Sequence, residues 1–174
     1  MSMEPIVHAI IPLMFLLAVF PKLDKKYIFL LVPIVWIIDL DIYLPGQLHR
    51  YIFGNIFFVL LLAGIAYWAW DKKAFFVAMF YGVSHLLLDS YYGGTAWLWP
   101  LWDKTILLVA SVKSNGEWAF DFGIRTMTRE EFLSLVEGVQ YAEYITETGV
   151  LFLIILGILL VAKYRKEIVK KIKS

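Results

Sequence analysis

"AFFVAMFYGVSHLLLDSYY" runs from Ala74 to Tyr92 and decides how the chain is read. It is apolar or aromatic through Val83, apart from Gly82, and long enough for a spanning helix, which needs roughly 20 residues. Ser84, His85 and Asp89 then interrupt the run. His85 and Asp89 are four residues apart, so on a helix they share one face. An ionisable group inside an apolar helix is unfavourable by several kcal/mol unless it has a partner, which makes it a functional hypothesis by default. The stretch therefore predicts both a membrane helix and a polar site at its C-terminal end.

Four more apolar segments flank it: Ile6–Phe20, Tyr27–Leu44, Ile52–Trp70 and a run centred on Gly149–Ala162. The 174-residue chain is 61% hydrophobic, above the half that is usual for soluble domains. Its mean hydropathy is +0.73. The expected fold is an all-α polytopic membrane protein of about five transmembrane helices, with a small β-hairpin and helix inserted between the fourth and fifth. Residues 1–92 would form a four-helix membrane core, 93–146 an extracytoplasmic interfacial insert, and 147–174 the last helix and a basic tail. The N-terminus shows no basic region or A-x-A site, so the first segment is expected to be retained. Lys22, Lys25, Lys26, Lys72, Lys73 and the lysines and arginines after Ala162 would lie on one side. The expected location is the cell's inner (cytoplasmic) membrane, and the positive-inside rule orients the chain with the N-terminus outside and the C-terminus cytoplasmic.

The insert has its own pattern. "WLWPLWDK" (Trp97–Lys104) suits a membrane interface. Trp118, Phe120, Phe122 and Ile124 alternate, and Asn115-Gly116 is a hairpin turn signal. "TREE" (Thr128–Glu131) fits a capping box that opens an amphipathic helix with Phe132, Leu135, Val136 and Val139 on its apolar side.

Composition excludes some functions. A net charge of +1 gives no footing for nucleic acid, and without cysteine there are no disulfides or thiolate metal sites. The remaining signal is a set of polar residues at helix ends. His8, Asp39, Asp41, His49, Arg50, His85 and Asp89 all fall toward the outer end of the expected bundle. Three imidazoles and three carboxylates make a nitrogen and oxygen ligand set, which suits zinc, or manganese or iron, as one or two ions. Asp39 and Asp41 can both reach one site only if their helix ends near Leu40, which Pro45-Gly46 favours. Arg50 is placed to bind a phosphate or to orient a carboxylate.

The order of these pieces resembles the LexA-binding, inner-membrane-associated metal-dependent hydrolase family, the YdjM-like proteins. The pieces are His8, "DLD" (39–41), "HR" (49–50), "SHLLLD" (84–89) and "GGTAWLWP" (93–100), and the likeness covers about residues 1–105. It implies a metal-dependent hydrolase with His8, Asp39, Asp41, His49, His85 and Asp89 at the metal site. Members commonly carry a further histidine after "HR", where this chain has Gly54 followed by Asn55. Water or Asn55 would complete the shell, or the metal count is lower, or activity is lost.

The function expected from the residues is hydrolysis of a lipid-like ester or phosphoester at the outer membrane face. Asp39, Asp41 or Asp89 would act as general base if not bound to metal, and Arg50 and Asn55 would bind substrate. The partners expected are membrane lipid and a lipid-like substrate, with oligomeric state open. The competing readings are a metal-ion or proton transporter and a non-enzymatic partner subunit with a structural polar centre. The nearly apolar opposite halves of the segments count against a through-path for ions.

Overall fold

A computed structural model describes residues 5–40, 50–114, 118–136 and 147–172. The chain is mostly helical, and the helix ends follow from capping chemistry. Helices α1 (Pro5–Val19), α2 (Lys25–Leu30) and α3 (Pro33–Ile38) come first. Asp24 starts α2 by accepting from the Lys26 backbone N–H. α2 and α3 are separate because Pro33 has no N–H to donate and its ring crowds the preceding turn. The bonds across the break are the short i, i+3 kind, Val32 N–H to Phe29 O and Ile34 N–H to Leu31 O. α4 (Ile56–Ala69) starts at the Asn55 cap and α5 (Lys72–Tyr92) at the Asp71 cap. Asp71 also accepts from the Tyr27 hydroxyl at 3.0 Å, tying α2 to the start of α5. The Ala74 and Lys73 N–H groups and the Tyr27 hydroxyl hold the Asp71 carboxyl below its ordinary pKa, Ala74 contributing most. The stability this adds is present above the ordinary carboxylate pKa and is lost as pH falls through the depressed one.

The expectation of five transmembrane helices is not met. Among the described residues, only Lys72–Tyr91 is long and apolar enough to cross a membrane. Half of its most apolar window is buried inside the protein, as in the core helix of many soluble proteins. α1 has 15 residues and α4 has 14. At 1.5 Å per residue they reach about 21–23 Å, short of a hydrocarbon core of about 30 Å. The second expected span is cut by Pro33, the third is shortened by the Asn55 cap, and the apolar part of the last helix covers only Val150–Leu160. Hydrophobic runs counted from sequence overstate helix length where caps and prolines stand inside them.

The insert is a two-stranded antiparallel sheet, β1 (Lys104–Ser114) and β2 (Trp118–Thr128), in the register Lys104 to Thr128. The turn signal at Asn115-Gly116 lies outside the described residues. α6 (Arg129–Val136) opens with the expected capping box: Thr128 N–H donates to Glu131 Oε2 at 2.8 Å, and Glu131 N–H to Thr128 Oγ1 at 3.2 Å. Phe132 is buried, while Val139 lies outside the described residues. α7 (Glu147–Ile172) packs along α1, and the Lys163 ammonium donates to the Leu17 carbonyl.

Two apolar clusters are formed among the described residues. The larger joins α1, α2, α3, α4 and α5 through Leu16, Ile28, Val35, Ile38, Val59, Val77 and Tyr81. The Tyr81 hydroxyl donates to the Ile28 carbonyl at 2.8 Å, so this buried phenol is satisfied. The smaller gathers Tyr51, Ala96, Met127 and Phe132 and seats the base of the insert on the loop before α4. α4 and α5 approach closely at Gly82, where an added Cβ would lie 2.4 Å from Val59 Cγ1.

That contact gives a paired prediction. Gly82→Ala gains about 0.5–1 kcal/mol of helix propensity, but overpacking costs about 1–3 kcal/mol. At 2.4 Å the clash wins, so denaturant unfolding should show a less stable variant. Val59→Ala added to it should recover most of the loss. Gly64 has no neighbour for a new Cβ, so Gly64→Ala should stabilise by about 0.5–1 kcal/mol. Equal effects at Gly82 and Gly64 would disprove the close packing.

Candidate metal centre

The polar centre forms where three helix ends meet. His8 lies in the first turns of α1, Asp39 is the C-cap of α3, and His85 and Asp89 lie in the last turns of α5. Asp39 follows directly on α3 with helical dihedrals (φ −77°, ψ −5°), in a tighter turn that closes the helix, and its carboxylate faces His85 on α5. His85 and Asp89 present the shared i, i+4 face expected of them. The far ends of α1 and α5 carry Val19 and Lys72 instead.

His85 Nε2 lies 3.3 Å from Asp39 Oδ1 and 3.2 Å from Asp89 Oδ2. His8 Nε2 lies 3.6 Å from Asp89 Oδ1, and His8 Nδ1 lies 3.9 Å from Asp39 Oδ2. The two imidazole rings meet edge to face with centroids 4.4 Å apart. His8, His85 and Asp89 are buried, whereas the Asp39 side chain keeps 19% of its surface. Asp39 is therefore the least enclosed of the four, although its Oδ2 is itself buried.

These approaches are close but poorly aligned. All four imidazole nitrogens, and Asp39 Oδ2, are buried with no hydrogen-bond partner among the described residues. A buried polar atom left unpaired costs about 1–3 kcal/mol, and native structures rarely keep several in one place. Ligand atoms of His8, His85 and Asp89 lie within 4.8 Å of one another. They form a group able to hold a metal ion, and Asp39 adds a second carboxylate at its edge.

The remaining predicted residues divide. Asp41 and His49 lie outside the described residues. Arg50 is buried and adopts φ 66°, a left-handed conformation uncommon for a side chain of this size. Its Nη2 lies 3.4 Å from Asp89 Oδ1, and its Nη1 donates to the carbonyls of Gly94 (3.2 Å) and Asp89 (3.5 Å). Asn55 caps α4: its Oδ1 accepts from the Phe58 N–H at 3.0 Å, and its Nδ2 donates to the Tyr51 and Ile52 carbonyls. Those bonds occupy the amide, so Asn55 shapes the loop rather than entering the ligand group. Gly54 packs against Arg50, where an added Cβ would lie 2.8 Å from both Arg50 Cα and Arg50 O. A histidine at that position is incompatible with this loop.

Sequence reading missed Tyr51. It is fully buried, its hydroxyl shares a 3.0 Å hydrogen bond with Thr105 Oγ1, and its ring packs on Phe132. The Arg129 guanidinium lies 5.3 Å from the ring centroid. Nothing in the "HRYIFGN" stretch marks Tyr51 apart from the many other aromatics. Trp97 also ties the loop after α5 to its neighbours. Trp97 Nε1 donates to Ser90 Oγ at 2.7 Å, and the Trp97 carbonyl accepts from the Ile56 N–H at 2.9 Å.

Comparison with known proteins found no matching family model, curated protein or solved structure.

Protein purified without chelators should carry a divalent metal by elemental analysis, and His85→Ala should lose it. Asn55→Ala should keep the metal while losing about 1 kcal/mol of stability, the usual cost of an N-cap. Loss of metal in Asn55→Ala with stability unchanged would place the amide in the ligand group after all.

Proposed function

We propose that the chain is a metal-dependent hydrolase acting on a lipid-like ester at a membrane surface, and a member of the YdjM-like family that its motifs resemble. The observation that best supports this is the unpaired set of imidazole nitrogens, buried against two carboxylates at one end of the helices. His8, His85 and Asp89 would hold a divalent cation, with zinc first by donor type and manganese or iron next. Such a cation supplies Lewis acidity, lowering the pKa of water and stabilising negative charge on the attacked group.

The chain's own groups do the rest. Asp39, whose side chain is the most exposed of the four, would serve as the general base. Burial of the other three keeps competing water from the ligand atoms. The outer helix faces support a lipid surface as the place of work. Phe15, Leu61, Ile65, Trp68, Phe76 and Ile158 are all exposed, Trp68 at 88%. Apolar surface on this scale marks an interaction or membrane face. The phosphoester expectation leaned on Arg50, whose guanidinium is turned to Asp89 and Gly94, so a carboxylic ester is the first choice.

One observation favours a second reading. His8, His85 and Asp89 are almost completely enclosed, as the ligands of structural metal sites are. The two readings separate on turnover. Zinc-loaded protein in phospholipid vesicles would be given a phospholipid, p-nitrophenyl butyrate and bis-p-nitrophenyl phosphate. Asp39→Asn should reduce kcat by about 10²–10⁴-fold with zinc content near wild type, and His85→Ala should lose both zinc and turnover. Zinc retained by wild type with no turnover of any of the three would leave the structural reading standing.

A further inference from the structure

We propose that Arg50 is a positioning residue for the metal centre, fixing the Asp89 carboxylate in the orientation a metal ion needs. This rests on the metal reading of His8, His85 and Asp89. Asp89 carries two demands at once. Its Oδ2 faces His85 Nε2 at 3.2 Å, and its Oδ1 faces His8 Nε2 at 3.6 Å. A carboxylate on a two-bond stem can rotate between these. Arg50 Nη2, at 3.4 Å from Oδ1, sets which oxygen points where.

The guanidinium is itself held. Nη1 donates to the Gly94 and Asp89 carbonyls, so the side chain plugs the C-terminal end of α5, where a cation is favoured by the helix dipole. Gly93 leaves the space for it: a Cβ there would lie 2.8 Å from Nη1. The backbone is fixed from the other direction. Gly54 packs on Arg50, and Tyr51 is anchored to Thr105 and Phe132 of the insert. A left-handed arginine kept between two glycine contacts and a clamped tyrosine matches the strained geometry that active sites hold by over-determination.

Charge and orientation predict opposite signs. A cation beside a metal ligand repels the metal, so if Arg50 acted only through charge, removing it would tighten binding. Loss of an orienting partner behind a metal ligand weakens metal affinity by typically 10–100-fold. The test is titration of the full chain with Co²⁺, whose visible bands report ligand number and geometry. Arg50→Gly deletes the side chain while tolerating the left-handed backbone. Gly93→Ala keeps the charge and displaces Nη1, and Arg50→Lys keeps the charge without the fork.

Arg50→Gly should bind Co²⁺ about 10–100-fold more weakly with shifted bands. Gly93→Ala should shift in the same direction, and Arg50→Lys should recover part of the affinity. Wild-type affinity and bands in Arg50→Gly, or tighter binding, would overturn the positioning role. Should Arg50→Gly fail to fold, Gly93→Ala decides alone, and wild-type behaviour there overturns it too. Wild-type protein that binds no Co²⁺ would remove the metal reading itself, and the positioning role with it.

Discussion

The closure of the C-terminal end of α5 constrains most of what surrounds it. The Asp89 carbonyl accepts from the Gly93 and Gly94 N–H groups and from Arg50, while the Asp89 carboxylate faces Arg50, His8 and His85. One residue thus ends the helix and carries a carboxylate that faces three basic side chains. A buried carboxylate is tolerable only when cations or donors offset its desolvation. That requirement brings together four pieces distant in sequence: the start of α1, the end of α3, the loop before α4 and the end of α5. The insert is drawn in as well, since Tyr51, next to Arg50, is locked to β1 and α6.

Some of this was legible before any coordinates. The i, i+4 pair of His85 and Asp89 needs only helical geometry, and the T-x-x-E box at Thr128 needs only capping chemistry. The gathering of His8 and Asp39 beside them followed from the polar residues sharing one end of successive apolar segments. What stayed hidden depends on tertiary contact. Gly54 looked like a missing ligand, yet its absent side chain is what allows Arg50 its backbone position. Asn55 looked like a stand-in ligand because an N-cap and a site amide have the same letter. The sequence left Arg50 a phosphate to bind or a carboxylate to orient, and charge alone does not say which carboxylate a guanidinium will meet.

The five-helix expectation failed for a different reason. Hydropathy measures how apolar a run is, not how long it stays helical. Pro33 splits one run into two six-residue helices, and caps at Asn55 and Asp71 confine another to 14 residues. The apolar side chains are still there, and many face outward along α1, α4, α5 and α7. Too many face outward for a helical core in water to need, which is why the proposed function places the chain at a lipid surface. Asp39 sits at the end of the short α3 that follows this break, with its carboxylate 3.3 Å from His85 Nε2.

Local rules are kept over most of the molecule and broken together at one corner. The cap residues Asp24, Asn55, Asp71 and Thr128 each make the bond expected of them, and the buried Tyr81 hydroxyl has its acceptor. At the α5 terminus, by contrast, an arginine is left-handed, two glycines admit contacts that no side chain would allow, and four imidazole nitrogens lie buried without hydrogen-bond partners among the described residues. Packing alone gives no reason to concentrate such costs, because apolar residues of similar size would fill the same space with less strain. Departures from local consistency that cluster in this way are the mark of a site kept for its chemistry. Here the departures converge on Asp89 and His85, the pair that interrupts the one helix among the described residues long and apolar enough to cross a membrane.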